Sequence, residues 1–191
     1  MIDYELCKEK LKSILSEKRF IHSVNVSSAA EKLALHYGED VNKAKIAGLL
    51  HDVCKEMDEE TLTKLLSEAK PELFNAFKNF PFKLYHGPAA TVYLREEFEI
   101  DDEEILNSIC FHTTGHKNMT MTEKIIFVAD YISEERPFGN LKELQALALK
   151  NIDLVVLDKC EVAIKKCINN RITIHPYTVA TYNDMIEKEG N

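Results

Sequence analysis

Apolar residues recur at helical spacing through nearly all of the 191-residue chain, and the alternating runs between turn pairs that strands require do not occur. The pattern predicts helices over about 3–17 and 20–36, the second stopping near Gly38 as its C-terminal cap. On that second helix His22, Val26, Ala29, Ala30 and Leu33 share one face. A third helix is expected after Asp40 and carries Ile46-Ala47-Gly48-Leu49-Leu50-His51-Asp52. Asp58 caps a fourth, ending at Pro71. Residues 71–85, with Phe74, Phe77 and Phe80 between two prolines, read as less regular. Pro88 suits the first turn of the next helix, with His86 in the loop ahead of it. Asp101 caps another, whose apolar stripe runs through Ile105 and Ile109 to His112. Thr120 and Glu123 have capping-box spacing before Ile125-Ile126-Phe127-Val128-Ala129-Asp130. Helices over roughly 140–150 and 153–171, an irregular link from Arg171 to Thr178 and a closing helix complete an all-α, single-domain chain, with no repeat and no linker to divide it.

Composition narrows the function classes. Hydrophobic residues make up 45% of the chain, enough to bury a core. A net charge of −8 argues against a broad basic surface for duplex nucleic acid or anionic membrane. No apolar run approaches the ~18 residues of a membrane span. The cysteines, Cys7, Cys54, Cys110, Cys160 and Cys167, are odd in number and form no CxxC. With no signal-peptide pattern at the start, reduced thiols and a cytoplasmic location are expected.

The candidate chemistry starts at His51-Asp52. An adjacent imidazole and carboxylate inside an apolar helix need a partner or a metal. His22 upstream and His112 and Asp130 downstream sit in similarly apolar settings. Either histidine alone reads better as a core residue bonded to a backbone carbonyl. Aspartate, however, is almost never fully buried unpaired. The coincidence of all of these favours a site for a divalent metal, since imidazoles and carboxylates accept Fe, Mn, Zn, Co or Ni.

The ordered set His22, His51-Asp52 and Asp130 on helices resembles the HD-domain phosphohydrolases, an all-helical family that hydrolyses phosphate esters and anhydrides with bound metal. Tyr85-His86-Gly87-Pro88, Phe111-His112-Thr113-Thr114-Gly115, Ala129-Asp130-Tyr131-Ile132, Arg136 and Ile174-His175-Pro176-Tyr177-Thr178 extend the likeness over nearly the whole chain, to the YqeK family. That resemblance implies an HD-type helical bundle with a metal core over about 20–135, its nucleotide pocket completed by C-terminal helices over about 140–188. It implies symmetrical hydrolysis of diadenosine tetraphosphate to two ADP, with iron as the metal. It carries over His22, His51, Asp52 and Asp130 as metal ligands. His86 and His112 would hold a second ion or touch substrate phosphate. Lys55, Thr113, Arg136 and the stretch Thr173, Ile174, His175, Pro176, Tyr177 and Thr178 would contact nucleotide, as would His22 and Asp130 beside their metal. Asp52, Lys55 and Arg136 would serve the reaction itself.

Physical arguments run beside the resemblance. Lys55 lies one helical turn beyond His51, where an ammonium would point at phosphate. Arg136 follows the Asp130 helix, where a guanidinium could fold back and grip phosphate with two hydrogen bonds. His175 and Tyr177 could pack on a base or ribose. The plain alternatives are a solvated lysine, a surface arginine before Pro137, and capping of the last helix. His36 and His116 have no assigned role, and His36 is expected in solvent. The partners expected are a dinucleoside polyphosphate and its ADP product, without duplex nucleic acid or membrane, and with a homodimer left open. The rivals are another HD phosphohydrolase, acting on nucleoside monophosphates or nucleotide triphosphates, and a non-catalytic nucleotide-binding HD protein. An HD-GYP phosphodiesterase would need its DGxGYP run near His112, where Thr113-Thr114-Gly115-His116-Lys117 stands.

Overall fold

The structure, a computed structural model, describes residues 2–133 and 139–189. Among these, all regular structure is helical. The elements are α1 (Tyr4–Ile14), α2 (Glu17–Tyr37), α3 (Val41–Leu50), α4 (Glu59–Glu68), α5 (Pro71–Phe77), a 3-10 turn (Phe82–Leu84), α6 (His86–Phe98), α7 (Glu103–Phe111), α8 (Met121–Ile132), α9 (Leu141–Lys150), α10 (Ile152–Asn170) and α11 (Pro176–Glu189). Side chains of Asp3, Ser16, Asp40, Asp58, Asp102, Thr120 and Asn151 accept hydrogen bonds from first-turn amides, which would otherwise lack partners. Thr120 and Glu123 form the reciprocal capping box that their spacing predicts.

Several boundaries differ from the sequence reading. The His51-Asp52 pair is not inside a helix. α3 ends at Leu50, His51 is its cap, and the chain continues as tight turns with Val53 N–H on Leu50 O and Lys55 N–H on Asp52 O. α4 stops at Glu68, and Pro71 opens α5 instead of ending α4, because its fixed φ and missing N–H suit a first helical position. His86 is the first residue of α6 and not a loop residue. Asp102, not Asp101, caps α7; Asp101 is held outside the helix by Arg95. α11 starts at Pro176, so the link is only 171–175. Arg136 lies outside the described residues.

α8 runs through the centre, buried on all sides from Thr122 to Ala129, with α2, α3, α7, α9 and α10 packed around it. Two glycines set how closely the surrounding helices approach. A Cβ on Gly48 would come 3.0 Å from Ser27 Cα, so α3 lies directly on the backbone of α2. A Cβ on Gly87 would come 2.5 Å from the Cys110 carbonyl oxygen, so the start of α6 lies on the end of α7. The cysteines are free thiols, and all but Cys167 are buried. No helix among the described residues is long and apolar enough to cross a membrane.

Candidate metal centre

Those two close approaches bring histidines together in pairs. The first joins His22 of α2 to His51 at the end of α3, Nε2 to Nε2 at 3.2 Å. The second joins His86 at the start of α6 to His112 at the end of α7, Nε2 to Nε2 at 3.1 Å. Asp52 stands between the pairs. Its Oδ2 is 3.4 Å from His51 Nε2 and 3.7 Å from His22 Nε2. Its Oδ1 is 3.3 Å from His86 Nε2 and 3.5 Å from His112 Nε2. Asp130, projecting from α8, places Oδ1 3.3 Å from His22 Nε2. All of these side chains are buried except Asp130, which is partly so.

Three of the rings are oriented by one device. His51 Nδ1 donates to Gly48 O at 2.8 Å, His86 Nδ1 to Lys83 O at 2.7 Å, and His112 Nδ1 to Ile109 O at 2.7 Å. Each acceptor is the carbonyl three residues earlier. A nitrogen that close to a carbonyl oxygen must carry the proton, so the neutral ring turns an Nε2 lone pair inward. Burial pushes His86 down and His112 down to about 3, which keeps both neutral at pH 7. Lone pairs therefore face lone pairs and carboxylate oxygens. Among the described residues Asp52 Oδ1 is buried with no hydrogen bond. A cation resolves all of this at once, and nitrogen and carboxylate oxygen donors without thiolate suit a divalent metal. His22, His51 and Asp130, and likewise His51, Asp52 and His112, have donor atoms close enough to share one.

Cations of the chain flank the same carboxylates. Arg19 Nη1 is 2.7 Å from Asp52 Oδ2, with its side chain 31% exposed. Lys55 Nζ is 3.6 Å from Asp52 Oδ1 and 3.1 Å from His86 Nε2, with its side chain 33% exposed. Both are thus open to solvent while touching a buried acid. Lys159 of α10 is more enclosed and donates to Asp130 Oδ2 at 3.0 Å, Phe127 O at 2.7 Å and His112 O at 3.0 Å. Thr113 Oγ1 lies 3.1 Å from His112 Nε2 and 3.3 Å from His86 Nε2.

A model of the HD domain matches residues 19–135. The chain belongs to the HD-domain family. This HD protein is 35% identical, over 92% of its own chain and 93% of the relative, to a Halalkalibacterium halodurans protein named symmetrical bis(5′-nucleosyl)-tetraphosphatase. A Bacillus subtilis protein of the same name is 32% identical over 92% of this chain and 94% of its own. The fold is similar to that of an HD superfamily hydrolase from Clostridium acetobutylicum described as involved in NAD metabolism, with a TM-score of 0.87, 34% identity, and 98% of this chain and 99% of that one covered.

Sequence reasoning missed Arg19 and Lys159. Arg19 precedes His22 by one helical turn, and Lys159 stands among the buried residues Val155, Val156 and Cys160; a cation beside an HD protein's buried acids was a signal in both cases. Lys55 lies beside Asp52, on a turn and not on a helix face. His175 is committed elsewhere. Its ring is buried, stacks on Phe77 at 4.5 Å between centroids, and uses both nitrogens, Nε2 toward Ala76 O and Nδ1 as acceptor from Tyr177 N–H. Tyr177 rests against Phe77 and Phe111, the latter two residues before Thr113 in the chain. Thr178 is buried, while Thr173 and Pro176 are exposed and Ile174 half-buried. His36 is exposed.

Proposed function

We propose that this HD protein hydrolyses diadenosine tetraphosphate symmetrically to two molecules of ADP. The observation that carries the reading is the inward-facing lone-pair cluster around Asp52, in a chain that matches relatives of that name almost end to end. His22, His51, Asp52 and Asp130 would hold a metal, and His86 and His112, with Asp52 Oδ1, would hold a second ion that faces the substrate phosphate. Iron is the expected ion. When bound, the metal supplies Lewis acidity and makes water acidic enough to lose a proton near neutral pH.

The chain's own groups do the rest. Lys55 neutralises charge that grows on the phosphoryl oxygens, and Arg136 grips them in fork geometry. Thr113 offers a hydroxyl to the same oxygens. The departing ADP is a stable anion, so no strong acid is needed beside it. The segment from Thr173 to Thr178 carries one nucleoside through Thr173, Ile174 and the Tyr177 ring, while His175 fixes the segment on Phe77. The free, mostly buried thiols suit work in the cytoplasm.

The test is product analysis by anion exchange on metal-loaded protein, with the metal quantified in the same sample. ADP as the sole early product is expected from diadenosine tetraphosphate. AMP with ATP would reject symmetrical cleavage, and turnover restricted to mononucleotides would point to a different HD phosphohydrolase.

A further inference from the structure

A dinucleotide cut at its middle must extend both ways from the attacked phosphorus, and the reading above places only one nucleoside. The segment 173–178 lies against Phe77 and Phe111, on the His86 and His112 side of Asp52. The other side of Asp52 is built by His22 and Asp130. There the two helices that carry those ligands run on to line, together with α9, a cavity of about 250 Å³. Asn25 and Ala29 follow His22 on the same flank of α2, and Ile132 follows Asp130.

Resting on the proposed function, we infer that this cavity takes the second nucleoside of the substrate. Its volume suits one nucleoside and is too small for the whole dinucleotide. Its walls are of the kind that hold a base. Ala29, Ile132 and Leu149 supply apolar surface, and Leu149 is left 43% exposed at the mouth. Asn25 and Gln145 supply amides, the side chains that match the donor and acceptor edge of adenine. Gln145 Nε2 donates to Ile132 O at 3.0 Å, which fixes the amide and makes Oε1 its acceptor for an exocyclic amine. Lys32 adds a cation for ribose or phosphate oxygens. The two nucleoside sites then flank the metal donors, one at each end, as a centrally cleaved chain of phosphates requires.

The test uses full-length, metal-loaded protein and Ala146→Trp, which fills the cavity from an exposed position on α9 outside the metal donors. Metal content and far-UV circular dichroism should be unchanged. KM for diadenosine tetraphosphate should rise about tenfold or more, the loss of one base contact. KM for adenosine 5′-tetraphosphate, which carries one nucleoside, should change less than about twofold on the same scale. Gln145→Leu, which keeps the volume, should act in the same direction. Calorimetric titration with ADP should count two molecules on the unaltered protein and one on Ala146→Trp. One ADP on the unaltered protein, or an equal KM rise on both substrates, overturns the inference. If the unaltered protein does not cleave the dinucleotide, the proposed function fails, and the ADP count alone still decides the cavity.

Discussion

Asp52 is a single buried carboxylate with a histidine pair and an exposed-ended cation on each oxygen: His22, His51 and Arg19 at Oδ2, His86, His112 and Lys55 at Oδ1. Removing the acid or a ring and removing a cation should therefore fail in different ways. His51→Ala and Asp52→Ala should lose bound metal and turnover together while keeping most helix content, because each deletes a donor that nothing else replaces. Elemental analysis showing full occupancy in both would contradict that. Lys55→Ala deletes no metal donor. It should retain its metal and lose about one to three orders of magnitude in turnover on the tetraphosphate, as when a group that stabilises transition-state charge is removed. Arg136→Ala should behave as Lys55→Ala does. The identities of the acid and the rings were legible in the sequence, because buried polar residues stand out against apolar runs. Their grouping into two pairs was not, since it depends on Gly48 and Gly87 letting consecutive helices, α3 on α2 and α6 on α7, touch backbone to backbone.

Helix ends, more than helix faces, present the reactive groups here. His51 and His112 are the C-terminal caps of α3 and α7, and His86 opens α6, so each ring can reach the carbonyl three residues back. The helices themselves were legible through their periodicity and caps, and α8 begins at the capping box its sequence announces. Their ends were less so: an apolar run reads the same whether its last residue is helical or in a turn. The loop from α7 to α8, which bears Thr113, is anchored by a residue that sequence left without a role. His116 Nε2 lies 3.1 Å from Glu123 Oε1, though not aligned as a hydrogen bond, and its ring packs on Phe111 at 4.4 Å. Burial pulls His116 down, but Glu123 outweighs it and leaves the imidazole raised. Burial pushes Glu123 up, but His116 and the Thr120 amide leave it lowered. A raised histidine stabilises fully below its unfolded pKa and loses that contribution as pH climbs through its folded value. A lowered carboxyl stabilises above its unfolded pKa and loses that as pH falls through its folded value. The pair should thus help most between roughly pH 4.3 and 6.5. His116→Gln should cost about 1 kcal/mol in that window and progressively less above neutrality, read from urea midpoints against pH. A cost that stays flat from pH 5 to 9 would show that His116 acts by packing alone.

At the scale of the molecule, the question is how the C-terminal helices are joined to the HD core matched over 19–135. All-helical class was legible from the hydrophobic period, but this joint was not, because a lysine in α10 looks like solvent-facing charge until its surroundings are known. Lys159 crosses the boundary. Its ammonium meets the carboxylate of Asp130 from α8 and the carbonyls of Phe127 and His112, so one cation ties α10 to both sides of the metal centre. It holds Asp130 Oδ2 while Oδ1 faces His22, which aims that second oxygen at the metal donors. Lys159→Met keeps the length and apolar stem but removes the three hydrogen bonds that the ammonium makes to Asp130, Phe127 O and His112 O. Breaking such a contact costs about 3 kcal/mol, which for a chain of this size lowers the Tm of metal-free protein by about 6–12 °C. Metal affinity should fall about 10- to 100-fold as well, because a ligand that has lost its outer partner is no longer held in place. Lys165→Met, on the same helix but exposed and, among the described residues, paired only with Glu161, should change neither measurement appreciably. Thermal scans with and without added metal separate the two effects. If Lys159→Met matched Lys165→Met in both, α10 would be packed against the core by its apolar residues alone, and the position of Asp130 would owe nothing to the C-terminal helices.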